Sequence, residues 1–426
     1  MPTLREAARV WTYVGLNSFG GPAGQIAVMH REVVDERGWI SERRFLHALN
    51  FCMLLPGPEA QQLATYVGWL LNGIRGGLVA GLLFILPGAV VMLGLSVVYA
   101  VYGEVSWVAG LLFGLQAAVV AIVVQALIRV GRRTLRSTRL VMLAVAAFTA
   151  LFFFAVPFPI VIIAAGLVGW LMGRGPAEHW VPDEDEVVPQ PAARRALVAA
   201  AVCLVLWLGL VGLLLAGLGA DHVLAQIAVL FSKTALLSFG GAYAALTYVA
   251  QQAVQNFGWI STADMTTGLG LAETTPGPLI LVLQFVGFLA AFDAPGTLPP
   301  LVAGVLGAVV TLWVIFLPCF MFIFAGAPYV EALRHNRGLH DALTAVSAAV
   351  VGVIANLAAW FALHTFFDTR TIDSGPFTMT VPVVNTLDWV AVALAVVAGV
   401  LVLRNWPTWR VLLLVAAAGA LVSIWR

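Results

Sequence analysis

Charge is what this sequence has least of. Only 10% of its 426 residues are Asp, Glu, Lys or Arg, whereas a soluble domain carries about 25%. Too few charges remain to cover a soluble surface, and a mean hydropathy of +0.97 agrees. Lys233 is the only lysine, so arginine supplies nearly all the positive charge, and a net charge of +1 leaves no field for nucleic acid. Cysteine is equally scarce. Cys52, Cys203 and Cys319 stand singly in apolar stretches, with neither a disulfide pattern nor metal-ligand spacing. No P-loop, dinucleotide fingerprint or nucleophile–base arrangement occurs, so no cofactor is expected and an ATP-driven pump or a hydrolytic enzyme has no basis here. The first residues carry Arg5, Glu6 and Arg9 without a cleavage site, and are expected to belong to the mature chain.

Apolar residues are abundant, at 61%. At about 20 residues per span the length allows roughly nine to thirteen membrane elements. The expected fold is an all-α polytopic protein in a lipid bilayer, whose apolar surface would also suit a homodimer, although nothing fixes an interface.

The chain repeats itself. Phe19-Gly20-Gly21 recurs as Phe239-Gly240-Gly241, Gly38-Trp39-Ile40-Ser41 as Gly258-Trp259-Ile260-Ser261, and Pro56-Gly57-Pro58 as Pro276-Gly277-Pro278, all at an offset of 220. Farther on, Pro87 matches Pro318 and Ala117–Val120 matches Ala348–Val351, at an offset of 231. Three motifs at one offset establish duplication. Six elements per half are expected: 3–30, 43–72, 77–102, 106–128, 140–155 and 157–173, then 224–250, 263–291, 299–327, 340–366, 386–403 and 407–425. The domains are a repeat over 1–173, a cytoplasmic linker over 174–195 with the acidic run Asp183–Glu186, a connecting helix over 196–218, and a second repeat over 219–426.

Arginine placement orients the halves. The loop Arg129–Arg139 holds five arginines and is expected in the cytoplasm, with the N-terminus, whereas its counterpart Asp368–Asn385 holds only Arg370 and should face outward. The loop Tyr329–His340, with Arg334 and Arg337, and the arginine-free Gly103–Ser106 reverse that bias. Like halves of opposite charge bias form an inverted repeat, an arrangement common in secondary transporters. The first two elements of each half are broken at Phe-Gly-Gly or Pro-Gly-Pro. Limbs of about 13 residues, or roughly 20 Å, reach only mid-membrane, so these elements either re-enter as hairpins or, alternatively, all cross to give thirteen spans.

Pro-Gly-Pro stops one half-helix and starts another. Non-helical backbone in a bilayer is tolerated where it lines a cavity or packs in protein, and a half-helix N-terminus suits an anion. The alternative is that the breaks are kinks and packing points. Asn17, Ser18, Phe19, Gly20, Gly21 and Pro22 form the first candidate cluster. The second is Pro56, Gly57, Pro58, Gln61 and Gln62, in which Glu59 and Gln62 share a helical face. In the second half the candidates are Ser238, Phe239, Gly240 and Gly241, then Thr274, Thr275, Pro276, Gly277 and Pro278. Glu59, Glu273 and Lys233 are ionisable groups at membrane depth, functional by default. They suit proton coupling; equally, the glutamates could cap backbone or pair with Lys233 or an arginine. His30 and His47 flank Arg31–Arg44, which has the pattern of an interfacial helix, and no second cluster completes a metal site.

Ser18-Phe19-Gly20-Gly21-Pro22, Gly38-Trp39-Ile40, the run Leu54–Tyr66 and Glu273–Leu279 resemble the chromate transporter family over nearly the whole chain. The resemblance implies an inner-membrane carrier that expels chromate, with sulfate as a competitor. Ala242 stands after the second Phe-Gly-Gly where the first is followed by Pro22, so the half-sites need not bind alike. Rival readings are a carrier of sulfate or another oxyanion, a proton or cation channel using Glu59 and Glu273, and a membrane-embedded enzyme.

Overall fold

The computed structural model describes residues 2–19, 21–103, 105–172, 193–239, 242–329, 337–374 and 377–425. Gly20, Gly240, Gly241 and the acidic run Asp183–Glu186 lie outside the described residues. The first half contains α1 (Leu4–Asn17), α2 (Gly21–His30), α3 (Glu42–Leu54), α4 (Glu59–Tyr102), α5 (Ser106–Thr134), α6 (Thr138–Phe154) and α7 (Phe158–Met172). After α8 (Ala193–Leu218) come α9 (Val223–Leu237), α10 (Ala242–Ala250), α11 (Thr262–Thr274), α12 (Val282–Asp293), α13 (Pro300–Gly326), α14 (Arg337–Phe366), α15 (Trp389–Leu403) and α16 (Thr408–Trp425). Five of these, α4, α5, α8, α13 and α14, contain stretches long and apolar enough to cross a membrane. The chain is a multi-pass membrane protein.

The repeated Gly-Trp-Ile-Ser motif is a turn and a cap. It follows a π-helical segment in each half, Arg31–Glu36 and Gln251–Asn256. Gly38 and Gly258 take φ of +58° and +63°, a region that glycine enters without strain. The Trp39 N–H donates to the Val33 carbonyl and the Trp259 N–H to the Ala253 carbonyl, each at 2.8 Å. Ser41 and Ser261 then cap α3 and α11. The stretch from Arg31 to Arg44, expected as one interfacial helix, is therefore a π-turn, a loop and the start of α3, because Gly38 reverses the chain.

α4 is two helices. Asn72 (φ −134°) and Gly73 (φ +62°) break it, and a Cβ on Gly68 would lie 2.4 Å from the Gly76 carbonyl oxygen. Thr65 likewise meets Gly81, although sixteen residues of straight helix would separate them by about 24 Å. The limbs 59–71 and 74–102 are thus an antiparallel hairpin closed on small residues, and α12 and α13 form its counterpart through Gly287 and Gly307. The homologous long limbs lie side by side and antiparallel: Gly77 meets Phe324 and Gly81 meets Phe320. The α4 turn and the α12–α13 connection therefore sit at opposite faces, here the near and the far face. That is the inverted repeat.

Neighbouring contacts also settle the broken elements. Phe51 of α3 packs on Tyr66 and Gly326, on the near-face side of the break. His30 at the end of α2 meets Phe45 near the start of α3, and Pro2 before α1 accepts from Asn72. Both first-half elements therefore enter and leave at the near face. In the second half Asp264 of α11 accepts from Tyr99 near the far end of α4, and His222 before α9 approaches Gly296 in the far-face connection. These elements re-enter from the far face, so the thirteen-span alternative falls.

The last two helices of each half are exchanged. α6 and α7 pack on α14, whereas α15 and α16 pack on α5. Small residues allow it: a Cβ on Gly352 would lie 2.1 Å from the Ala144 carbonyl oxygen, and one on Gly114 2.3 Å from that of Val415. α8 is peripheral, tied through Trp207 to Ser232 on α9 and through Trp313 of α13 to the Leu206 carbonyl. One feature departs from an all-α chain: Thr369–Ser374 and Phe377–Pro382 pair as an antiparallel β-hairpin in the loop after α14. Its threonines, Ile372 and Val381 favour strand geometry.

Candidate functional site

The four breaks dock across the two halves. The Gly57 N–H donates to the Ser238 carbonyl at 3.1 Å, and the Gly277 N–H donates to the Ser18 carbonyl at 3.0 Å. Each Pro-Gly-Pro thus sits on the Ser-Phe-Gly-Gly of the other half. Gly57 and Gly277 hold φ of +127° and +93°, where an L side chain is strained. A Cβ on Gly88 would lie 2.1 Å from the Pro276 carbonyl oxygen, so α4 supports one break by its lack of a side chain; Cys319, at the matching place in α13, closes on Gly57. The two docked pairs are linked in turn, because Tyr243, at the start of α10, donates to Glu273 Oε1 at 2.6 Å. All four breaks belong to one contiguous network.

The candidate side chains divide by what they touch. The Ser18 hydroxyl donates to the Val14 carbonyl, Ser238 to Ala235, Thr274 to Leu271 and Thr275 to Ala272. Those hydroxyl protons serve helix C-termini. Backbone N–H groups and cations are then the readiest donors for an anion at the breaks. Half-helix N-termini carry such free N–H groups and a positive dipole end. Pro56, Pro58, Pro276 and Pro278 are buried beside their glycines. Gln62 is buried and donates to the Pro56 carbonyl at 2.7 Å, closing the loop, and Gln61 donates to Thr65 at 3.0 Å. Asn17 is exposed, bonded to the Tyr13 carbonyl, and stands apart from the breaks. Phe19 is partly buried, Gly21 has φ +70°, and Pro22 and Phe239 are half-buried.

The ionisable groups separate as well. Glu273 is buried against Tyr243, and the Arg129 charge acts on it; Arg133 acts on Glu59, which is half-buried. Lys233 is exposed on α9 and makes no ion pair among the described residues, so it joins neither glutamate. Arg129 and Arg133 are one turn apart on α5, and the sequence offered them only as an orientation signal. Gln25, which donates to the Gly277 carbonyl at 2.6 Å, and Tyr243 were also missed. Their signal is weak, because a single polar residue in an apolar half-helix has no spacing pattern. His30 meets Asp35 and Glu42 rather than His47, and these three bring ligand atoms within 4.8 Å of one another. Both ring nitrogens of His30 already face carboxylates, which accounts for the cluster.

The halves are homologous but not packed alike. Nearly all of α10 is buried, packed on α14 and α7, with Tyr248 5.9 Å from Phe158. In α2 only Gln25 and Met29 are buried, and its main partners are α1 and α4. At the first break, just before α2, lies a cavity of about 320 Å³, lined by Phe19, Gln125, Arg129 and the α15–α16 turn at Asn405–Trp409. A cavity this size, partly polar and beside a break, matches a small-molecule site of about 300–1,000 Å³.

Comparison with known proteins agrees with this architecture. The chromate transporter family matches residues 5–170 and 225–422, one segment in each repeat. A chromate transport protein of Pseudomonas aeruginosa is 36% identical over 80% of this chain and 76% of its own. A probable chromate transport protein of Synechococcus elongatus is 26% identical over 87% of each chain, and a chromate transport protein of Cupriavidus metallidurans is 27% identical over 87% of this chain and 85% of its own. No solved structure matches. The relatives are named as transport proteins, and the family match extends over both broken-helix repeats. The chain belongs to the chromate transporter family.

Proposed function

We propose that this chain is a carrier in the bacterial inner membrane, N-terminus in the cytoplasm, that exports chromate through the crossed breaks. The observation that carries the carrier reading is the unequal packing of α2 and α10. Two inverted halves in different conformations leave one face open and the other closed, and exchanging those conformations reverses access. The arginines of α5 and its following loop favour the near face as cytoplasmic. The names of the relatives supply the substrate, and an arginine-bearing cavity beside half-helix N-termini fits an oxyanion.

The membrane potential is sufficient drive. A negative interior favours exit of an anion by about 2.3 kcal/mol per charge per 100 mV. A dianion gains roughly 4.6 kcal/mol, or about a thousand-fold gradient. Protons carried outward with the anion would cancel that gain, so any coupling through Glu59 or Glu273 runs as inward proton exchange.

The test is chromate flux in proteoliposomes at clamped potential, with sulfate as competitor. Voltage-driven chromate flux is expected, lost in the Gly57→Val, Gly277→Val double variant while helicity by circular dichroism persists. Robust sulfate flux without chromate flux would overturn the substrate, and a cation-dependent current without anion flux would favour a channel. Equal flux with and without a pH gradient, at fixed voltage, would remove Glu59 and Glu273 from coupling.

A further inference from the structure

The two vestibules of the inverted repeat carry different chemistry. At the offset of 231, Gln125, Arg129 and Arg133 of α5 correspond to Asn356, Trp360 and His364 of α14. The helical hairpins that close the vestibules also correspond: Ala155 (φ +48°) and Asn405 (φ +59°) are the left-handed non-glycine residues among the described residues, each two positions before a proline. Phe158 follows one proline and Thr408 the other. On the far face the vestibule is aromatic, with Phe158 fully buried near Tyr248 and the Trp360 ring 4.9 Å from that of His364, tilted at 51°. On the near face a guanidinium stands in place of the Trp360 ring, beside an open cavity; the amide is common to both faces, as Gln125 and Asn356.

Arg129 is not committed elsewhere. Among the described residues Arg129 makes no ion pair. Arg133, one turn on, is turned to Met53 at 3.2 Å. Arg129 faces the cavity with Gln125 four residues before it on the same side of α5. Phe19, in the opposite wall, adjoins Ser18, whose carbonyl receives the Gly277 N–H. A planar guanidinium presents paired N–H donors that match two oxygens of a tetrahedral oxyanion, and the Gln125 amide can add a third.

We propose that Arg129 and Gln125 form the site at which the carrier collects a tetrahedral oxyanion from the cytoplasm, ahead of the breaks. The far face has no equivalent, so affinity is one-sided: high where cargo is taken up, low where it is released. This inference rests on the reading of the chain as an oxyanion carrier.

Sidedness tests it. In oriented proteoliposomes the half-saturating chromate concentration is measured separately from the cytoplasmic and the outer face. Arg129→Gln is expected to raise the cytoplasmic value about ten-fold or more, the loss of a charge-assisted contact, and to leave the outer value within about two-fold. Arg129→Lys keeps the charge but not the fork, and is expected to fall between. Trp360→Arg is expected to lower the outer value. Equal changes at both faces in Arg129→Gln and Arg129→Lys, or no change at either, would overturn the one-sided site. If the unsubstituted protein carries sulfate but not chromate, the same series with sulfate decides the site while the substrate reading falls. Absence of any oxyanion flux overturns both.

Discussion

His30 sits where α2 gives way to α3, with Asp35 at one ring nitrogen and Glu42 at the other. Burial works against its charged form, but the two carboxylates prevail and raise its pKa above the ordinary 6.5. Stability from this contact is fully present below the unfolded value of 6.5 and is lost as pH rises through the higher folded value. Thermal unfolding of the unsubstituted protein is therefore expected to fall above neutrality by more than that of His30→Gln. The difference is at most about 1 kcal/mol, since the carboxylates are exposed; parallel pH profiles in the two proteins would deny the contact. The same scale separates glycines by duty. Gly57 and Gly277 are needed for their backbone angle, whereas Gly88 is needed for its missing side chain.

Elements here are held by close backbone approach more than by side-chain interdigitation, as is common where lipid removes the hydrophobic drive between helices. In α4 this makes two glycines behave in opposite ways. Gly88→Val would press on the Pro276 carbonyl, and overpacking of this kind costs about 1–3 kcal/mol. Gly94, on the same limb, has open space around its Cβ position, so Gly94→Ala is expected to be neutral or slightly stabilising. Melting temperatures of the two variants in detergent check the contrast; equal effects would mean that α4 does not support the break. The Gly-Trp-Ile-Ser repeat belongs to this scale too. It serves as an element junction, turning each re-entrant hairpin into the next.

At the scale of the whole molecule, inversion and exchange of the terminal helices leave α10 buried and α2 loosely packed, although the two are homologous parts. The native cysteines are buried, so an introduced thiol reports access with little background. Gln125→Cys, in the cavity wall, is expected to react with a membrane-impermeant maleimide from the near face. Asn356→Cys, its counterpart, is expected to be protected from the far face until transport begins. Equal labelling of both at rest would contradict the unequal packing of α2 and α10. Turnover conditions should raise labelling at Asn356→Cys and lower it at Gln125→Cys, because the halves exchange states rather than open together.

Membrane residence, duplication, opposite orientation of the halves and the position of each break were legible in the sequence, because they rest on composition, constant offsets and arginine counts. The breaks were legible as breaks because proline and glycine act locally through their own backbone. What the sequence alone did not reveal is which break meets which, since hydrogen bonds such as Gly57 to Ser238 join segments with no common local pattern. Nor did it reveal that the serine and threonine hydroxyls at the breaks bond to their own helix ends. Lys233 read as one alternative partner for the glutamates because all three lie at membrane depth, yet α9 leaves it exposed. Arg129 read as a marker of orientation and became part of a cavity wall only when α15 and α16 crossed over to pack on α5. Local chemistry determined the elements; long-range packing of small residues decided which faces met, and so which charges share the site.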